Sequence, residues 1–306
     1  MPQPIPFDRF RAEVEALWSY PARSRATATK TRQVLREFAG HLGPDATTAA
    51  ITAPAVAGWV NAQLRDGRHP NTAWTLLGYL RAAANYANEA GYVERSPFGR
   101  RTKFLRRVRS SPPAAHAREA IGRVLGLLEA RGRDSWRDGR LFALAALVAY
   151  TGLRRGEALG LTWGEVDLPA GLVRLDPARR LKTLDAARPV PLPARLAEML
   201  AAWRPRSGSD WVVPRADREG PWVSGGRGGK PGDALKAAGR AAGVEGLTFA
   251  SLRTTWATLA ESTWGLSGPV IQRVLRHTTL ATQEHYRRAD EPALVAAVRA
   301  IDFRAA

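Results

Sequence analysis

The sequence predicts a mainly α-helical protein of two domains, with a small antiparallel β-sheet set into the second. Three observations predict it. The chain has 306 residues, above the usual size of a single domain. Apolar residues recur at helical spacing over roughly the first 95 positions, with no strand pattern among them. Near residue 172 that period gives way to short strand-like pieces, and helical spacing then resumes.

In the first domain, residues 29–41 (TKTRQVLREFAGH) put Val34, Leu35 and Phe38 on one face, and residues 53–64 add Val56, Trp59 and Val60 to a second. Residues 71–91 form the longest helix, with Trp74, Leu77, Leu80, Ala84 and Ala87 in one stripe; Asn71 and Thr72 serve as starting caps and Gly91 as the stop. These helices make a small bundle, assigned to residues 1–98. Residues 99–116 (GRRTKFLRRVRSSPPAAH) form a linker. Six basic side chains and no acidic one occupy residues 99–109, and Pro112 and Pro113 break any helix. The linker is either a solvated hinge or a strip that also lies along phosphates.

The second domain, residues 117–306, reads as helical from 119 to about 161. Three strand-like pieces follow at 172–175 (LVRL), 180–183 (RLKT) and 188–192 (RPVPL). Helices are expected at 194–203, 233–242, 249–262, 268–276, 281–287 and 292–300. The Gly-rich loop at 220–232 holds Arg227 and Lys230 but lacks the spacing of a nucleotide-binding loop.

Composition narrows the partners. With 45% apolar and 24% charged residues the chain can bury real cores. Lys and Arg number 46 against 28 Asp and Glu, a net charge of +18, which points to a polyanion: nucleic acid first, an anionic membrane surface second. The surplus is not a tail, since residues 1–110 hold 17 basic and 8 acidic side chains and residues 111–306 hold 29 and 20. The absence of cysteine excludes disulfides, thiolate metal sites and cysteine nucleophiles. The opening MPQPIPFDRF lacks a signal-peptide core and no apolar run approaches a membrane span, so a cytoplasmic protein with no membrane partner is expected.

Four segments of the second domain carry chemistry-bearing residues. Residues 150–168 (YTGLRRGEALGLTWGEVDL) put Arg154 after a tight turn, with Glu157 one turn on. Residues 180–193 (RLKTLDAARPVPLP) hold Lys182 between strand pieces. Residues 248–260 (TFASLRTTWATLA) place Arg253 in an otherwise apolar helix, where a buried-side guanidinium demands an anion. Residues 274–289 (VLRHTTLATQEHYRRA) end a helix with His277 and set Tyr286 nine residues later, ahead of Arg287 and Arg288. Each also has an ordinary reading: Arg154 as a helix-end cap, Lys182 as a mobile surface charge, His277 as a cation at a helix C-terminus, Tyr286 as a half-buried aromatic.

In order, content and spacing the four segments resemble the tyrosine recombinase, or phage integrase, family of site-specific DNA recombinases. The resemblance covers nearly the whole chain, with the N-terminal bundle similar to the family's core-binding (SAM-like) domain and the rest to its catalytic domain. It implies catalytic roles for Arg154, Lys182, Arg253, His277 and Tyr286, double-stranded DNA as partner, a homo-tetramer on synapsed DNA, and no cofactor or metal. A five-coordinate phosphorus concentrates charge on its non-bridging oxygens, which two guanidiniums can hold. His277 would add a donor, Lys182 would protonate the departing 5′ oxygen, and Tyr286 would be the nucleophile.

Two departures stand out. The family's helix motif reads His-x-x-Arg, whereas Ala250 stands three residues before Arg253, and Arg276 stands where glycine commonly precedes the histidine. A methyl cannot relay a proton, so reduced activity or a DNA-binding relative without catalysis remains open. So does a type IB topoisomerase-like activity; a basic RNA-binding module fits the ordered residue set less well.

Overall fold

The computed structural model describes residues 2–19, 24–99, 104–106, 108, 114–176, 189–222, 229–276, 298 and 303. The chain divides into two compact units, Met1–Ser110 and Ser111–Ala306.

The first unit is a helical bundle of α1 (Phe7–Leu17), α2 (Arg25–Leu42), α3 (Ala53–Arg65) and α4 (Pro70–Glu89). Its starts are set by local chemistry. Ser24 Oγ accepts the Thr27 N–H at 3.1 Å, and Thr52 Oγ1 accepts that of Ala55 at 3.3 Å ahead of Pro54. Phe7, Phe10, Val34, Leu35, Phe38, Val56, Trp59 and Leu80 fill the core. Two expectations change here. The cap of α4 is His69, whose Nδ1 accepts the Asn71 N–H at 3.2 Å, because Pro70 at the first helical position has no N–H to satisfy. Trp74 is exposed, while Ala73, Leu76, Leu77, Leu80, Ala84 and Ala87 are buried, so the apolar stripe lies to one side of the indole.

The second unit is built on α6 (Trp136–Thr151), buried from Gly139 through Thr151. Around it pack α5 (Arg118–Asp134), α8 (Ala194–Ser207), α9 (Pro231–Ala241) and α10 (Phe249–Ser262), with the short α7 (Arg155–Leu159) and α11 (Gly268–Leu275) at one end. The single helical stretch expected over 119–161 is three helices. Ser135 ends α5 and caps α6, accepting the Asp138 N–H at 3.2 Å, and Gly152 turns the chain at φ 63°. Glycines let α5 and α6 cross closely: a Cβ on Gly132 would lie 2.9 Å from the Gly139 Cα.

The sheet is antiparallel in the order β1 (Val166–Asp167), β2 (Leu172–Val173), β3 (Val190–Pro191), with Val166 opposite Val173 and Val173 opposite Val190. Its first strand has no counterpart among the expected pieces. The piece at 180–183 and the helices at 281–287 and 292–300 lie outside the described residues, apart from Val298. Val298 and Phe303 are buried in this unit's own core, the Phe303 ring edge-on to Tyr150 at 4.8 Å. Among the described residues no helix is long and apolar enough to cross a membrane.

Candidate active site

The site is assembled where α6 ends. Past Gly152 and the buried Leu153, Arg154 takes the N-cap position of α7 with extended backbone (φ −65°, ψ 143°). Glu157, one turn on, reaches back. Its Oε2 accepts the Arg154 backbone N–H at 2.8 Å and its Oε1 accepts Arg154 Nη1 at 2.9 Å. The carboxylate therefore satisfies a helix-end donor and aims a guanidinium in one gesture.

Arg253 arrives from α10. That helix starts at a reciprocal cap in which Thr248 Oγ1 accepts the Ser251 N–H at 3.0 Å and Ser251 Oγ accepts the Thr248 N–H at 2.8 Å. Trp256 pins it to α6 by donating Nε1–H to the Tyr150 carbonyl at 2.9 Å. Arg253 donates Nη1 to the Gly152 carbonyl and Nη2 to the Leu275 carbonyl at 2.6 Å. Burial, reinforced by the charges of Arg154 and Arg276, brings its pKa down to about 10, with Glu157 acting against them; the group stays cationic at neutral pH.

Arg154 and Arg253 line one open pocket of about 510 Å³, together with Arg155, Lys230, Lys236 and Ala250. Among the described residues Asp233 is the one acidic side chain lining it. Lys230 and Lys236 were not singled out by the sequence reading as site residues. Nothing in their local pattern distinguishes a pocket lysine from a surface one, although placing α9 beside α10 would have. Ala250 is exposed on the pocket wall. Arg155 is exposed and also faces the pocket. His116, read as the end of the linker, reaches α10, with Nε2 3.1 Å from Ser251 Oγ and its backbone N–H on Thr255 Oγ1 at 2.9 Å; burial lowers its pKa. Lys182, His277 and Tyr286 lie outside the described residues. Among the described residues no cluster of three or more His, Cys, Asp or Glu could hold a metal ion.

Arg276 ends α11 with φ 52° and ψ 49°, a left-handed conformation that costs a non-glycine residue roughly 1 kcal/mol. Its side chain is 0% exposed against 26% for Arg154, and Nη2 donates to Glu157 Oε2 at 2.6 Å. Its carbonyl accepts Arg154 Nη2 at 3.3 Å. The charge that Arg276 brings to this position is therefore interior.

The hinge of this arrangement is Gly152. A Cβ there would meet Leu275 Cδ2 at 2.6 Å, and the positive φ strains any L side chain. Gly152→Ala should lower the unfolding free energy by roughly 1–3 kcal/mol. Denaturant melts check this; an unchanged midpoint would mean that Leu275 yields freely.

Comparison with known proteins follows the same lines. A family model described as "Phage integrase family" matches residues 127–292. Tyrosine recombinase XerC of Corynebacterium efficiens is 26% identical over 286 residues, covering 92% of this chain and 87% of that protein. A XerC-like tyrosine recombinase of Caldanaerobacter subterraneus subsp. tengcongensis is 26% identical over 167 residues, covering 48% of this chain; the match spans only 42% of that relative. Among solved structures, a lambda integrase dimer bound to a COC′ core site superposes with a TM-score of 0.67 at 18% identity, covering 93% of this chain and 78% of that one. A lambda integrase tetramer bound to a Holliday junction gives 0.66 at 17% identity, covering 90% and 78%. At such identities the structural likeness establishes the fold.

Proposed function

This chain belongs to the phage integrase family, and we propose that it is a site-specific DNA recombinase that cuts and rejoins strands through a 3′-phosphotyrosyl bond to Tyr286. One observation carries the reading: Arg154 and Arg253, from separate helices, line a single basic pocket with both guanidiniums held in place by carbonyls and by Glu157. A phosphodiester seated there meets a preformed pair of planar donors, whose bonds strengthen as charge grows on the non-bridging oxygens.

In this mechanism the Tyr286 oxygen bonds to phosphorus and the bond from phosphorus to the 5′ oxygen breaks. Lys182 gives the departing oxygen its proton, and His277 donates to a non-bridging oxygen. A phenol has an ordinary pKa of about 10, and cations such as Arg154 and Arg253 would favour release of its proton to water. The ester keeps the energy of the broken bond, so the 5′ hydroxyl of a second strand can reverse the step without a nucleotide cofactor. Residues 1–98 and the basic linker 99–116 would clamp the duplex, and the working form would be a homo-tetramer on two synapsed sites, acting in the cytoplasm. What supports the assembly is the family and the charge surplus carried by both parts of the chain.

The test is covalent trapping. A nicked duplex taken from the flanks of the element that encodes the chain should yield a detergent-resistant adduct through a 3′ phosphate, and an intact pair of sites should yield recombinant product. A 5′ linkage, or product without any covalent species, overturns the reading.

Ala250 sets a finer expectation. With Lys230 and Lys236 already on the same pocket wall, Ala250→His should preserve adduct formation or raise it by up to about tenfold, short of the 10²–10⁴ that an unreplaced acid–base group supplies. Collapse of the rate would mean that the pocket is built around the methyl group.

A further inference from the structure

Glu157 poses a problem for the proposed clamp. A carboxylate that orients Arg154 also cancels its charge, and a cancelled guanidinium is a poor ligand for a phosphate. The neighbouring geometry resolves this. Glu157 Oε1 holds Arg154 Nη1, while Oε2 takes Arg276 Nη2 at 2.6 Å, from a side chain with no exposure. Arg154, Arg253, Arg276 and Glu157 together carry two positive charges; without Arg276 they carry one.

We propose that Arg276 is a positioning residue: its buried guanidinium occupies Glu157 from behind, leaving the charge of Arg154 available to the scissile phosphate. The inference rests on the recombinase reading. Three observations support it beyond the ion pair. Arg276 adopts left-handed backbone, where glycine or asparagine is the ordinary choice, so this side chain is kept against local conformational preference. Its Nε and Nη1 are buried without a hydrogen-bond partner, so Glu157 is what holds the guanidinium among the described residues. Finally, the turn it closes supplies two carbonyls to the clamp, Leu275 to Arg253 and Arg276 to Arg154. Side chain and backbone of one residue thus act on Arg154 from opposite ends, while Arg276 itself is sealed from any substrate.

The experiment compares Arg276→Met, Arg276→Lys and Arg276→Gly with the unchanged chain in single-turnover adduct formation on the nicked duplex, with duplex affinity and thermal midpoint measured alongside. Methionine fills the space without charge, lysine restores the charge, and glycine relieves the backbone. Methionine should slow adduct formation by about 10–100-fold, the usual cost of losing an outer partner of a reacting group, with affinity within about twofold. Lysine should recover most of the rate. Glycine should melt no lower than methionine and be equally slow. A methionine variant that reacts at the original rate overturns the proposal, and so does a glycine variant that regains it or a lysine variant no faster than methionine. If the unchanged chain forms no adduct, it is the recombinase reading that fails.

Discussion

Tyr286→Phe should form no covalent adduct with a nicked site, a loss of at least about 10⁴-fold bounded by detection, while binding the duplex with unchanged affinity. The size follows from the role: removing a nucleophile removes the reaction path, where losing a supporting donor only raises a barrier. Phenylalanine keeps the ring and removes only the hydroxyl, so a folding defect is not the expected outcome, and a melting curve alongside the gel establishes that. Tyr286 is one of six tyrosines in the chain. An adduct that persists in the variant would therefore be mapped by peptide sequencing of the DNA-linked fragment, and would move the nucleophile elsewhere.

Arg253→Ala should reduce cleavage by about 10³-fold or more, in the range found when a charge-stabilising arginine is withdrawn from phosphoryl transfer. Duplex affinity should fall by only about threefold, and the salt dependence of binding should lose at most one phosphate contact. The contrast is expected because a chain of +18 net charge has many cations with which to grip DNA, whereas in the proposed mechanism this one would serve a single phosphate. Two controls sharpen the test. Arg253→Lys should not recover the rate, since one ammonium cannot hold the Gly152 and Leu275 carbonyls and face a phosphate as a planar fork does. Arg253→Met keeps the volume and separates lost charge from a collapsed pocket. Parallel loss of binding and cleavage would make Arg253 a docking residue only.

Much of this architecture can be read from residues, and the misses have physical causes. The limits of α10 match the expected 249–262 because Thr248 is a true cap and the apolar stripe of Leu252, Trp256 and Leu259 is regular. Arg154 and Arg253 share a pocket, as the ordered segments imply. By contrast, α6 is buried all round from Gly139 onward, so its sequence there has no polar face to mark a period, and the break at Ser135 lies in a charged run, EARGRDSWRDGR, that an exposed helical face could equally carry. Two-residue strands such as Val166–Asp167 are too short to alternate. The missed α1 did have a signal, with Phe7, Phe10 and Val14 spaced on one face. Helical spacing puts Trp74 in the stripe, yet a bulky ring at the edge of a stripe can as well lie outside it, as this one does. The burial of Arg276 had no local signal at all: it depends on Glu157, far away in the chain, sending an oxygen toward it.

The enclosure of α6 has a consequence for how this protein can vary. From Gly139 to Thr151 no position has a free side, so a larger or smaller residue there must shift its surroundings. The helix delivers such shifts to its far end, where the Tyr150 carbonyl anchors Trp256 and the Gly152 carbonyl anchors Arg253. Drift in what looks like inert filling is thereby converted into drift in reactivity at the rim, and lineages that retune the interior must retune their chemistry with it.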